Sequence, residues 1–201
     1  IVDDNSDDGT IEVIKNYIKT NDNVKLFVRT NQKKNLAKSI NLGIQKSIFE
    51  NVIWMDADFQ HPPEYINEFI KRSENYDLIL CSRFLHESKR YFEKDLNVKE
   101  LNENQSIFFN KLCNFFLYKD LTDYTSGFIC IKRNIFNNYY LKGHYGDYFV
   151  DLLVHCKKSN KKIIEIPFVE KVRSSGKSKT VINFSFSYIY TCFNYFLSFV
   201  K

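Results

Sequence analysis

The chain has 201 residues, 44% hydrophobic and 26% charged, which places it among ordinary globular proteins with enough apolar residues for one cored domain and an appendage. Its net charge of +5 is spread along the chain with no basic run long enough for a nucleic-acid-binding arm, while mild basicity is compatible with an anionic membrane surface. The cysteines Cys81, Cys113, Cys130, Cys156 and Cys192 are odd in number, far apart and without a C-x-x-C pair, which argues against a disulfide framework or a zinc site and for reduced thiols in a cytosolic compartment.

In chain order, Ile1-Val2 reads as the end of a strand that enters an acidic loop, Asp3 to Thr10, so the sequence is expected to be a fragment whose first strand lies upstream. Cap formers in the loop lead into a helix with Ile11, Ile14 and Ile18 at helical spacing. Val24 to Val28 reads as a second strand, and Leu36 to Phe49 as a helix with Leu36, Ile40, Ile44 and Ile48 on one stripe. The apolar run Val52 to Met55 is a short buried strand stopped by Asp56, Asp58 and the pair Pro62-Pro63. A helix over Glu64 to Ser73 turns Tyr65, Ile66, Phe69 and Ile70 inward, and the strand Leu78 to Cys81 ends at Ser82-Arg83. Such alternation predicts a parallel, doubly wound sheet whose ligands bind beyond the carboxyl ends of the strands, where Asp3, Asp4, Asp56, Asp58 and Arg83 all fall.

The stretch D-A-D-F-Q-H-P-P-E, Asp56 to Glu64, carries the chemistry. If its backbone stays extended, Asp56, Asp58 and Gln60 aim their oxygens to one side. Two carboxylates and an amide oxygen suit Mg²⁺, which completes its octahedron with waters and phosphate oxygens and so bridges protein to a diphosphate. On spacing alone an acidic turn capping the following helix is equally open.

Beyond Arg83, His86 to Gln105 is charged, aperiodic and long, the pattern of a mobile lid or of a disordered loop, and Ile107 to Tyr118 is an aromatic-rich helix. Thr125-Ser126-Gly127-Phe128 leads into a strand over Ile129 to Lys132, with Gly127 expected to let backbone approach a ligand. A helix around Tyr148 to Lys157 precedes a strand over Ile163 to Val169, which Pro167 marks as an edge. Arg173-Ser174-Ser175-Gly176-Lys177-Ser178-Lys179 is suited to holding phosphate, with a solvated linker as the alternative. Val181 to Val200 has no charged residue and reads as an amphipathic helix, with Ile182, Phe186, Ile189, Phe193, Phe196 and Val200 on one stripe and polar residues on another. An interfacial membrane helix fits better than a span, and a helix packed on the domain is the alternative.

The ordered set D-D-N-S-D-D-G-T, M-D-A-D-F-Q-H-P-P-E, Ser82-Arg83, T-S-G-F, Glu165-Ile166-Pro167 and R-S-S-G-K-S-K resembles the polyprenyl-phosphate glycosyltransferases, the dolichyl-phosphate mannose synthase group of inverting glycosyltransferase family 2. The resemblance implies an α/β fold of GT-A type, a Rossmann-like, mixed and mostly parallel sheet flanked by helices, over residues 1–179, with 180–201 a membrane-associated helix at the cytoplasmic face. It implies transfer of a sugar from GDP-mannose or a UDP-sugar to a polyprenyl phosphate, with Mg²⁺ or Mn²⁺ as cofactor. Asp3, Asp4 and Asp56 would bind the nucleotide; Asp56, Asp58 and Gln60 would hold the metal; Arg83, Ser126, Arg173 and Lys179 would meet phosphate or acceptor; Asp58, Arg83 and Arg173 would be catalytic. Asp151 stands where this group usually shows Glu and reads as supporting structure, or as a base if the acceptor is a sugar hydroxyl. A signalling receiver domain also pairs acidic residues after its first strand, but leaves Asp58, T-S-G-F and the basic tail without a role.

Overall fold

The computed structural model describes residues 1–90, 96–171 and 185–200. The elements in order are β1 (Val2–Asp3), α1 (Thr10–Ile18), β2 (Phe27–Val28), α2 (Leu36–Lys46), β3 (Asn51–Trp54), α3 (Ile66–Arg72), β4 (Leu78–Ser82), β5 (Lys89–Arg90), α4 (Leu96–Phe116), β6 (Ile129–Lys132), α5 (Asp147–Lys158), β7 (Ile163–Pro167), β8 (Val169–Glu170) and α6 (Ser185–Val200). Single turns of 3₁₀ helix, Pro63–Tyr65 and Arg133–Asn137, lead into α3 and follow β6.

Every residue of β4, L-I-L-C-S, is buried, as an unalternating apolar strand requires when both faces of its sheet are covered. Leu78 and Leu80 face one cluster with Ile129, Ile131, Leu152, Leu153 and Ala37, the side of α2, α4, α5 and α6. Ile79 and Cys81 face the other, with Phe69 of α3, Phe128, Cys130, Ile166 and Phe168. Helices therefore lie on both sides of a sheet ordered β3-β6-β4-β7. Strands β4 and β7 are parallel, and β6 runs antiparallel to both β3 and β4. The pairs β1–β2 and β5–β8 are parallel, so the sheet system is mixed and mostly parallel, with the one reversal at β6. That reversal delivers the T-S-G-F segment to the same edge as the carboxyl ends of β3 and β4. β7 is the edge strand that Pro167 demanded.

Several element boundaries differ from the sequence expectation. α2 stops at Lys46 because Ser47 turns to an extended conformation, its N–H still reaching Gly43 and Ile44 carbonyls, which leaves Ile48 74% exposed. Ile70 of α3 is also exposed, since that helix buries a single stripe through Phe69. The helix before T-S-G-F begins at Leu96, eleven residues earlier than Ile107, so much of the expected loop is helical. α6 packs on the domain: Tyr188, Cys192 and Tyr195 point inward, while Ile189 and Phe193, on the predicted apolar stripe, face outward. All five cysteines are buried free thiols.

Phe149 lies at 1% exposure in the centre of the larger cluster. Phe149→Ala is expected to lower the unfolding free energy by about 3–5 kcal/mol, read from urea denaturation, because the cavity adds to the lost transfer energy.

Candidate active site

The stretch after β3 is a turn rather than an extension: residues 57–58 turn, and Phe59 sits at φ 65°, a left-handed conformation uncommon for a bulky side chain. The premise that alternate residues of an extended chain converge is thus corrected. The side chain of Asp58 builds the turn, its Oδ1 accepting from Gln60 N–H at 3.0 Å. His61 closes it, with Nδ1 accepting the Asp56 N–H at 2.9 Å. The His61 ring is buried and stacks on Phe128, centroids 4.7 Å apart and planes 5° apart. Burial first, then the nearby Arg83 charge, pulls its pKa down to about 4, so at neutral pH the ring is an uncharged acceptor. Asp56 is exposed, and Asp58 and Gln60 are half-buried. Sequence reasoning assigned no separate role to His61; its place after the D-x-D stretch and before two prolines was the available signal.

Arg83, at the end of β4, is held in a fork by Asp123: Nε to Oδ2 and Nη2 to Oδ1 are both 2.8 Å, and Arg83 N–H reaches Oδ2 at 3.0 Å. Side-chain exposure is 13% for Arg83 and nil for Asp123. Burial works against both charges, but each partner stabilises the other, so the Asp123 pKa lies below the usual carboxylate value and that of Arg83 above the usual guanidinium value. Nη2 also donates to Thr125 Oγ1 at 2.6 Å, and Glu170 of β8 lies 3.8 Å from Nη1. Thr125 Oγ1 is shared with Asn110 and Ser106 of α4. Asn110 Oδ1 accepts the Tyr124 N–H. Glu165 of β7 accepts from Thr122 and Asp123 N–H groups at 2.8–3.0 Å. Its pKa is raised by burial, and those N–H groups oppose the shift. Asp123 and Asn110 were invisible in sequence, because Asp123 meets Arg83 of a different element and Asn110 meets Tyr124 and Thr125 only once the fold brings them together.

On the other side of the site, Asp3 is buried and accepts from Ser6 N–H at 2.7 Å. Asp4 pairs with the buried Arg29 and accepts from Asn35 N–H at 2.6 Å. Arg29 is also bonded to Asn35 O, Ser39 Oγ and Gln32 Oε1, and Asn35 caps α2 by accepting from Lys38 N–H at 2.8 Å. The fold therefore gathers the acidic loop onto the start of α2 through a buried cation. Ser126 is buried and its hydroxyl accepts the Phe128 N–H at 3.3 Å, while Gly127 takes φ +70°. Tyr148 stands over this turn, its hydroxyl 3.6 Å from where a Gly127 Cβ would lie. Asp151 lies in α5 with both oxygens occupied, one by the Tyr139 hydroxyl and one by the Tyr195 hydroxyl of α6. Arg173 and Lys179 lie outside the described residues.

Among the described residues, no three His, Cys, Asp or Glu side chains form a cation cage. Two carboxylates on a turn at a strand end still fit Mg²⁺ or Mn²⁺ as a partial set of hard oxygen ligands that leaves positions for water and phosphate.

A family model described as "Glycosyl transferase family 2" matches residues 1–140. The chain is 27% identical over 190 residues to the dolichol-phosphate mannosyltransferase of Pyrococcus furiosus, covering 94% of this chain and 52% of that protein. It is 26% identical to the enzyme of that name from Mycosarcoma maydis, covering 94% of this chain and 63% of the relative. The chain thus spans between half and two thirds of these relatives. Among solved structures, glucosyl-3-phosphoglycerate synthase from Mycobacterium tuberculosis with phosphoglyceric acid aligns with TM-score 0.67 at 12% identity, over 96% of this chain and 66% of that one. The same enzyme with Mn²⁺, uridine diphosphate and glucosyl-3-phosphoglycerate aligns with TM-score 0.60 at 12% identity, over 96% and 66%. The fold is GT-A, as expected.

Two outcomes test the geometry. Because the folded His61 pKa lies below the unfolded value, the unfolded chain binds a proton first, and stability falls as pH drops from about 6.5 to about 4. His61→Gln should flatten that slope by up to about 3 kcal/mol in denaturation at stepped pH with chelator present. Asp123→Ala should lower stability by about 3–5 kcal/mol by stranding the Arg83 charge, measured by the same method at pH 7.

Proposed function

The chain belongs to glycosyl transferase family 2, and we propose that it transfers a sugar from a nucleotide-sugar, GDP-mannose or a UDP-sugar, to a polyprenyl phosphate. The reading is supported by relatives named dolichol-phosphate mannosyltransferase, which match 94% of this chain. The observation that carries it is the meeting of the Asp56–Asp58 turn, the Arg83 network and the T-S-G-F turn at one edge of the sheet.

In this reaction an oxygen of the lipid phosphate attacks the anomeric carbon, the bond to the nucleoside diphosphate breaks, and configuration inverts. A divalent ion, when bound, neutralises charge developing on the departing diphosphate. Asp56 and Asp58, with Gln60 beside them, would hold that ion, and His61 sets the turn by accepting a backbone N–H without bringing a charge of its own. In the proposal Asp3 and Asp4 serve the nucleotide; the Ser6 N–H fixes the first and Arg29 the second. Arg83 keeps a fixed cation at the site because Asp123 holds its fork. In the proposal Arg173, Lys179 and Ser126 serve the acceptor phosphate.

A phosphate acceptor needs no general base, since its second pKa near about 6 leaves it largely ionised at neutral pH. Asp151, bound by two tyrosine hydroxyls, is poorly disposed to act as a base, which favours a phosphate over a sugar hydroxyl as acceptor. A lipid acceptor calls for a membrane surface. Among the described residues no helix is long and apolar enough to cross a membrane. Phe108 and Phe115 of α4, and Ile189, Tyr190, Phe193 and Leu197 of α6, are exposed, and α6 carries no charge. These side chains suit the interface of a bilayer.

The full chain is to be assayed in vesicles with a short polyprenyl phosphate, Mg²⁺ or Mn²⁺ and a panel of labelled GDP-sugars and UDP-sugars. Product is expected in the organic phase, abolished by chelation and reduced at least about a hundredfold in Asp58→Ala. Transfer only to water-soluble acceptors would refute the lipid acceptor. In sedimentation with anionic vesicles, Phe193→Ser together with Tyr190→Ser should release the protein; unchanged sedimentation refutes the membrane face.

A further inference from the structure

The inner side of α6 meets the domain at a place the chemistry above leaves unused. Gly146, just before α5, has φ −91° and ψ −16°, backbone that any residue adopts. What keeps a side chain out is space: a Cβ there would collide with Tyr188 Oη and lie 2.7 Å from its Cζ. The Tyr188 ring stacks on Phe109 of α4 with centroids 5.1 Å apart. Next to it Ser187 donates to Asp147 Oδ2, and Asp147 Oδ1 accepts the N–H groups of His144 and Tyr145, each at 3.0 Å. Gly143, at φ +110°, completes the turn, and a Cβ on it would lie 2.6 Å from the same carboxylate.

The other end of this turn is tied to the nucleotide side of the site. Asn35 Nδ2 donates to Gly143 O at 3.2 Å, Leu36 N–H to His144 O at 3.1 Å, and Asn35 N–H to Asp4 Oδ2 at 2.6 Å. Tyr148, the residue after Asp147, stands over Gly127 in the T-S-G-F turn. Residues 143–148 therefore form a bridge between Asp4, the T-S-G-F turn and the inner face of a helix whose outer face is aromatic.

We infer that Tyr188, assisted by Ser187, is a positioning residue for the acceptor side: Tyr188 fills the space over Gly146 while Ser187 holds Asp147, and together they fix the 143–147 turn and Tyr148 from a helix seated at the lipid surface. This rests on the lipid-phosphate glycosyltransferase reading. Tyr188 acts through Gly146 and Tyr148 and does no chemistry of its own. When the ring leaves its seat, the turn loosens and, through Tyr148 over Gly127, the lipid phosphate loses its alignment, while Asp4 stays held by Arg29.

The test is a double-mutant cycle on the full chain with Gly146→Ala, Tyr188→Ala, the pair together, and Tyr188→Phe. Each alanine variant is expected to raise the KM for polyprenyl phosphate about tenfold, with the donor KM within about twofold, and the double variant to be no worse than either single, since the methyl added at position 146 then meets no ring. Tyr188→Phe keeps the ring and should restore most of the acceptor KM. Independently of activity, amide exchange at His144 and Tyr145 should quicken about tenfold in Tyr188→Ala. Unchanged exchange, independent additive effects of the two alanines, or donor and acceptor KM rising together would each overturn the proposal. If exchange quickens as expected but the unmutated chain transfers to no lipid phosphate, the lipid-phosphate reading has failed, and the acceptor role of Tyr188 with it.

Discussion

The ion pair between Arg83 and Asp123 is the constraint on which the site depends. It joins the carboxyl end of β4 to the segment that enters β6, and β6 lies between β3 and β4 in the sheet. Phe128, five residues beyond Asp123, is the surface on which His61 stacks, and His61 closes the Asp56 turn. The position of the acidic turn thus depends on a guanidinium fork with one partner wholly buried. A pair so desolvated is weak evidence for net stability, because apolar residues could fill the same volume at similar free energy. It supplies a fixed direction: a fork that fits one carboxylate geometry, backed by Thr125, Asn110 and Glu165.

Neutrality matters as much as charge at the same edge. A charged imidazole at residue 61 would have no acceptor nitrogen for the Asp56 N–H and would stand buried beside Arg83. Burial therefore favours the form that holds the turn. Arg29 solves the opposite problem at the acidic loop, where Asp3 and Asp4 follow each other: it brings a buried cation to Asp4, while Asp3 is satisfied by the Ser6 N–H. Both arrangements put carboxylates at strand ends in defined geometry before any ligand arrives, which is what electrostatic preorganisation requires.

Much of the layered fold was legible in local pattern. The buried strand at Leu78, the helical stripe from Leu36 to Ile44 and the edge character of Pro167 follow from apolar periodicity and from proline's missing donor, both local properties. Ile48 and Ile70 show where that logic stops. Periodicity identifies an apolar stripe, but whether its last residue is covered depends on where the helix ends and what lies opposite. The antiparallel course of β6 was equally hidden, because a strand's direction within a sheet is set by the path of the connection and leaves no mark on its own residues. In α6 the spacing shows an apolar and a polar stripe, yet Tyr188, Cys192 and Tyr195, which belong to neither, carry the packing against the larger cluster.

By itself the sequence determined the alternation of strands and helices, the acidic residues at strand ends and the family, since these rest on residue type and spacing along the chain. Only the tertiary structure decided that Asp58 builds a turn, that His61 is its neutral clamp, that Arg83 is held by Asp123, and that Asp151 is bound by two tyrosines instead of standing free as a base. These are contacts between residues distant in sequence or side chains whose direction is set by packing. Their energy exists only once burial has removed the competing water.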